Sequence, residues 1–147
     1  MTGELAITLQ LILSAVLGGV IGFFRERDKK AAGLRTHILV CMGSTLLMLI
    51  AVHLASIYPG SDVGRIAGQV IVGIGFLGAG TILVDREKAS VMGLTTAASI
   101  WVSAAIGLAV GCGFYYAALI STLIVLLVIE VLRKMEKRFI RTDKEES

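Results

Sequence analysis

What this sequence has little of limits it first. One proline in 147 residues argues against linkers and disordered segments. Only two cysteines are present, Cys41 and Cys112, and they form neither a CxxC nor a zinc-ligand spacing. In the topology derived below they lie near opposite faces of a bilayer, too far apart for a disulfide within one chain. Each therefore reads as a small apolar packing residue. Charge is scarce as well: 17 % of residues are charged, where an ordinary globular domain has about 25 %. No basic stretch is interleaved with aromatics, so a nucleic-acid partner is not expected. The first apolar run has no basic region before it and no small-residue cleavage site, so it reads as a retained helix and not a signal peptide.

What is abundant is apolar surface. Hydrophobic residues make up 56 % of the chain and the mean hydropathy is +0.86, against about 45–50 % apolar in soluble domains. Five apolar runs stand out, near residues 5–24, 38–57, 66–84, 94–110 and 114–132. Each approaches the roughly 20 residues that a membrane crossing needs, and the fourth sits at the short limit. The expected fold is an all-α polytopic membrane bundle of five transmembrane helices over residues 1–132, followed by a short charged tail, 133–147. Its partners begin with the lipid bilayer. The length leaves no room for a second, soluble domain.

Charge placement orients the bundle. Of the 14 lysines and arginines, five lie in the first loop (Arg25, Arg27, Lys29, Lys30, Arg35) and two in the third (Arg86, Lys88). Six more lie in the tail, which leaves only Arg65 on the other side. The positive-inside rule then puts the N-terminus outside and the C-terminus in the cytoplasm. Tyr115 and Tyr116, after the short Gly111-Cys112-Gly113 turn, fall at the outer interface. Glu130, in the last turn of the fifth run, is placed to snorkel toward water.

Glycine supplies the internal pattern. Residues 65–84 carry Gly68, Gly73, Gly75, Gly78 and Gly80 together with one amide, Gln69. A soluble helix would lose roughly 1 kcal/mol at each interior glycine; in a bilayer, glycines let backbones approach closely. This stretch is therefore expected to be the central helix, with Gln69 buried and bonded to a neighbour. Residues 73–80 allow two readings: a continuous packed helix, or a partly unwound segment lining an ion or substrate site. Two further stripes recur at four-residue spacing, Ser14, Gly18 and Gly22 on the first helix and Ser103, Gly107 and Gly111 on the fourth. They are expected to make helix–helix or subunit contacts.

Few residues carry chemistry. Asp62 is positioned to cap the third helix. His53 reads either as a functional intramembrane group or as a neutral histidine near the outer interface. His37, at the inner face, has Glu26 or Asp85 as its expected partner. Arg35, beside Thr36, is expected to pair with Glu26 or Asp85 or to bind lipid phosphate. No Ser/His or paired-aspartate arrangement is expected at a shared depth, so the chain does not read as an enzyme. The candidate carboxylates for a divalent cation are Glu26, Asp62 and Asp85, all at the membrane faces. Glu26 is flanked by Arg25 and Arg27, which favours a salt bridge over a cation site. A hydrated path along Gln69, Thr95 and Thr96 is the alternative. No cofactor is expected, and Mg²⁺ is the one ion for which a case exists.

Three stretches carry a resemblance: GGVIGFFRERDKKAAGLRTHILV (18–40), GRIAGQVIVGIGFLGAGTIL (64–83) and GLTTAASIWVSAAIGLAVGCGFYYA (93–117). In this order and spacing they resemble the MgtC/SapB family of bacterial inner-membrane proteins. The resemblance places weight on Gly22, Arg25, Glu26, Gly33, Arg35, Thr36, Asp62, Arg65, Gln69, Gly73, Gly75, Gly78, Gly80, Gly93, Thr95, Thr96 and Trp101. The family commonly has proline after the loop acid, where Val63 stands here. Longer members add a soluble cytoplasmic domain, and the short form without it is expected for this sequence. The resemblance implies a non-enzymatic regulator in magnesium and acid-stress homeostasis. Such a regulator would act through contacts with another membrane protein, the rotary ATP synthase among them, or with itself as a homo-oligomer. Transport of Mg²⁺ or H⁺ is the alternative.

Overall fold

The computed structural model describes residues 3–87 and 89–132, and of Leu132 the backbone only. The expected tail, 133–147, and Lys88 lie outside the described residues. The described residues form five helices: α1 (Gly3–Arg27), α2 (Leu34–Ile57), α3 (Val63–Ala79), α4 (Leu94–Gly111) and α5 (Tyr115–Leu127). A π-helical turn, Val128–Leu132, extends α5. A small antiparallel hairpin of β1 (Leu83–Asp85) and β2 (Ser90–Met92) joins α3 to α4.

Hydroxyls inside these helices bond back to their own backbone, so they cost little in an apolar setting. Ser14 Oγ donates to Leu11 O at 2.9 Å, and Thr122 Oγ1 to Ala118 O at 2.8 Å. Asp62 is the N-cap of α3, its carboxylate accepting the Arg65 N–H at 3.2 Å, the role its place in the sequence pointed to.

The helices alternate in direction. A Cβ added at Gly22 would lie 2.7 Å from Leu34 Cα, so the end of α1 meets the start of α2. Gln10 donates to Val110 O while Arg25 reaches Thr96, so α1 and α4 are antiparallel. Gly78 packs on Ala97 and Ile74 on the Ile100–Ala104 cluster, so α3 also runs against α4. Arg27 pairs with Glu130, so the end of the chain's last described turn returns to the end of α1. Glu130 is thus an ion-pair partner with a side chain only 13 % exposed, not a group reaching for water.

The main core joins Leu17 and Ile21 (α1), Cys41 (α2), Ile106 and Val110 (α4), Ala118 (α5) and Ile129. The outer surface is apolar: Leu39, Leu123 and Val72 are among many large hydrophobic side chains left exposed. Such a surface is stable only against lipid or other protein. Among the described residues three helices, α1, α2 and α4, are long and apolar enough to cross a membrane; α3 and α5 are shorter apolar helices. The chain is a helical membrane protein.

Three expectations need correction. The glycine-rich helix is not the centre of the bundle. Only Gly78 of α3 is buried, and the middle position belongs to α2 and α4. The third helix also stops at Ala79 instead of continuing to residue 84, because Gly80 ends it and residues 83–85 pair with 90–92. A four-residue apolar run has no period long enough to separate strand from helix. Gly93, at φ +91°, closes this hairpin, since a side chain there would run into the Thr81 carbonyl. Finally, the first loop is shorter than charge alone implied. Arg25 belongs to α1 and Arg35, Thr36 and His37 to α2.

Candidate functional site

Two regions hold the residues singled out by sequence: a packed polar seam inside the bundle and the open flank of α3.

The seam begins where α1 ends. Arg25 is 3 % exposed and its guanidinium donates to Thr96 Oγ1 in the first turn of α4. One turn further, Ser99 Oγ donates to Thr96 O at 2.8 Å and meets His37 Nε2 at 3.1 Å. The other ring nitrogen, Nδ1, lies 2.8 Å from Gly33 O, to which only an N–H can bond, so it carries a proton. Ser103 continues the line by donating to Ser99 O at 2.9 Å. Thr45 Oγ1 reaches both Cys41 O at 3.0 Å and Gly107 O at 2.8 Å, tying α2 to α4. Gln10 closes the far end on Val110 O at 3.0 Å.

The small residues on α1 and α4 make this seam possible. Ser14, Gly18 and Gly22 on α1, and Ser103, Gly107 and Gly111 on α4, are all buried. A Cβ at Gly18 would lie 2.8 Å from Cys41 Cβ, and one at Gly111 would lie 2.8 Å from Thr45 O. At Gly107 it would collide with the Cys41 carbonyl. Both glycine stripes are thus occupied by α2 of the same chain and present no face to another subunit.

His37 does not pair with Glu26 or Asp85; its partners are Gly33 O and Ser99. A Ser/His contact at shared depth therefore exists, contrary to the sequence reading. It lacks the carboxylate that would orient a catalytic imidazole, since a backbone carbonyl takes that place. Gln10, Thr45 and the Ser99 contact escaped the sequence reading. The signal for the last was present: Thr96, Ser99 and Ser103 recur at helical spacing.

The candidate carboxylates do not converge. Glu26 Oε2 accepts the Leu34 N–H at 2.7 Å, Asp62 caps α3, and Asp85 Oδ1 accepts the Glu87 N–H at 3.1 Å. Among the described residues no three His, Cys, Asp or Glu side chains group closely enough to hold a metal ion. Arg35 is exposed and makes neither an ion pair nor a side-chain hydrogen bond among the described residues, so the expected pairing with Glu26 or Asp85 is absent. Thr36 is half-buried and Thr95 is exposed beside buried Thr96, while His53 is exposed. Both cysteines are free, Cys41 buried and Cys112 exposed.

The flank of α3 is different in kind. Gly68, Gly73 and Gly75 would meet nothing within 4 Å if given a Cβ. The helix is continuous through residues 73–79, so the unwound reading of this segment does not hold. Gln69 is exposed and, contrary to expectation, makes no hydrogen bond across to a neighbour among the described residues. One side of α3 packs on α4, where Ile74, Gly75, Gly78 and Trp101 line a shallow cavity of about 270 Å³. Toward α2 it leaves an apolar groove of about 660 Å³ whose lining includes Gly43, Leu47, Arg65, Gln69, Gly73 and Ile74. The remaining side, with Gly68, Val72, Gly75 and Phe76, is open; Val72 is 67 % and Phe76 86 % exposed.

Comparison with known proteins gives this geometry a family. The chain is 45 % identical over 143 residues to an Escherichia coli K12 protein named "Putative magnesium transporter YhiD", covering 94 % of this chain and 65 % of that protein. It is 37 % identical over 142 residues to protein SrpB of Synechococcus elongatus, covering 90 % of this chain and 78 % of that protein. Protein MgtC of Salmonella typhimurium LT2 is 42 % identical over 130 residues, 88 % of this chain and 54 % of that protein. The chain thus spans only part of the length of these relatives. No solved structure matches it. The MgtC family model matches residues 11–138. With that match over most of its length, this chain belongs to the MgtC family.

Proposed function

We propose that this chain is a non-enzymatic, multi-pass regulator of the bacterial inner membrane, with a role in magnesium and acid-stress homeostasis. It acts by docking a transmembrane helix of another membrane protein on the open face of α3. The observation that carries this reading is the contrast in glycine use. The stripes of α1 and α4 are filled by α2, whereas Gly68 and Gly75 stand open on α3 with Val72 between them. Small residues at an open face let a second helix come close, and that packing is the main source of association in lipid.

Transport is the second reading, favoured by the name of the YhiD relative. Mg²⁺ takes oxygen ligands in near-octahedral geometry and parts reluctantly with its water. Within one chain the seam between α1, α2 and α4 is closed by backbone contacts at Gly18, Gly107 and Gly111. A transport path along that seam would need these contacts to part.

Native mass spectrometry of the protein extracted gently from its own membrane tests the proposal. A stoichiometric foreign subunit, lost in Gly75→Leu with the melting temperature kept, is the expected result. A homo-oligomer without a foreign subunit would overturn it. In that case, Mg²⁺ and H⁺ flux assays in liposomes would take up the transport reading.

A further inference from the structure

The groove between α2 and α3 adjoins the proposed partner face along the row Arg65, Gln69 and Val72 of α3, and it has a charge at one end only. Arg65 is exposed at that end and makes no ion pair among the described residues; its own backbone N–H, not its guanidinium, occupies Asp62. Gln69 stands one turn deeper with its amide unengaged among the described residues. Beyond it the lining is apolar, over Gly43, Leu47, Gly73 and Ile74. Neither Gly43 nor Gly73 has any neighbour within 4 Å of where a Cβ would stand, so the floor of the groove is bare backbone.

Depth can be counted along the helices. Gly78 packs on Ala97. From that contact Arg65 lies about 20 Å along α3, and Gly111 lies about 21 Å along α4 in the same direction. Arg65 is therefore level with the turn that ends α4, at the height of headgroups. From Arg65 to Ile74 the groove runs about 13 Å, close to half of the roughly 30 Å hydrocarbon core. A lipid of one leaflet wants half of it, with an anion at the outer end.

We infer that this groove holds one anionic phospholipid, its phosphate between the Arg65 guanidinium and the Gln69 amide and an acyl chain laid over Gly43 and Gly73. Guanidinium and phosphate match in charge and in planar donor geometry. The backbone floor admits a chain that any larger side chain would displace.

The test is native mass spectrometry of the purified full chain offered phosphatidylglycerol or phosphatidylcholine with identical acyl chains. Wild type is expected to retain one phosphatidylglycerol per chain in preference. Arg65→Gln is expected to lower that retention about tenfold, the loss of one charge-assisted contact, and to lower phosphatidylcholine less, because its choline already balances the phosphate charge, so that the preference shrinks. Gly43→Leu fills the groove and is expected to lower retention of both lipids, with the melting temperature kept. Equal retention of the two lipids by wild type, or unchanged preference in Arg65→Gln, would overturn the inference. So would a crosslink to protein in place of lipid from a photo-reactive side chain put at position 43. Should Gly43→Leu fail to fold, the Arg65→Gln result decides alone. None of these outcomes depends on whether a foreign subunit copurifies through Gly75.

Discussion

The glycines of α4 and the glycines of α3 look alike in sequence and do opposite things. Each set lies in an apolar helix, Gly107 and Gly111 four residues apart on one face of α4, Gly68 and Gly75 seven apart on one face of α3 with Gly73 turned toward α2. Gly107 and Gly111 lie under α2, with Cys41 and Thr45 carbonyls where side chains would be. Gly68, Gly73 and Gly75 lie under nothing within the chain. The difference is set by the facing element. The facing side of α2 offers Cys41, Ser44, Thr45 and Met48, buried along one line, and Thr45 donates across the contact. The α3 flank has no such neighbour on its outer side. A small-residue stripe thus marks a surface built for close approach without naming the helix that approaches.

The sharpest way to break this comparison is to fill both kinds of site. Gly107→Leu should cost well over the roughly 1–3 kcal/mol of ordinary overpacking, because the obstacle is the Cys41 backbone; loss of folded protein on size-exclusion in detergent is expected. Gly68→Ala should leave the melting temperature unchanged or raise it by the equivalent of about 0.5–1 kcal/mol, the helix-propensity gain. Equal losses in both variants would erase the distinction.

A second test probes the seam that the packed glycines permit. Thr96→Val removes an acceptor from the buried Arg25 guanidinium and should cost about 1.5–3 kcal/mol, read as a lower melting temperature in detergent. Thr45→Val removes the α2–α4 bridge and should cost less, about 0.6 kcal/mol, the mean for hydrogen bonds between membrane helices. The smallest effect belongs to Arg35→Ala. Arg35 is exposed, so unchanged expression and stability are expected; a clear loss of either would show that the guanidinium holds a structural contact.

Much of the architecture was legible. Apolar runs separated by charged or glycine-bearing turns located all five helices, and Asp62 and the small residues of α1 and α4 fell where their chemistry puts them. The hairpin was not legible, since Thr81 to Val84 are apolar and β-branched residues that extend a helical run as readily as they form a strand. The position of α3 was misread for a different reason: glycine content reports how near a neighbour can come, and burial depends on whether one is there. Gln69 followed the same error, being placed inside because α3 was. His37 and Ser99 were missed because their contact joins two helices 62 residues apart in sequence, and spacing within one helix carries no signal of its partner.

The most direct test of the central claim is a photo-reactive side chain at Val72, on the open face of α3, activated in the intact membrane. A crosslink to a single foreign membrane protein is expected, absent when the group is placed at Cys41 in the packed core. Crosslinks from position 72 to lipid alone would contradict it.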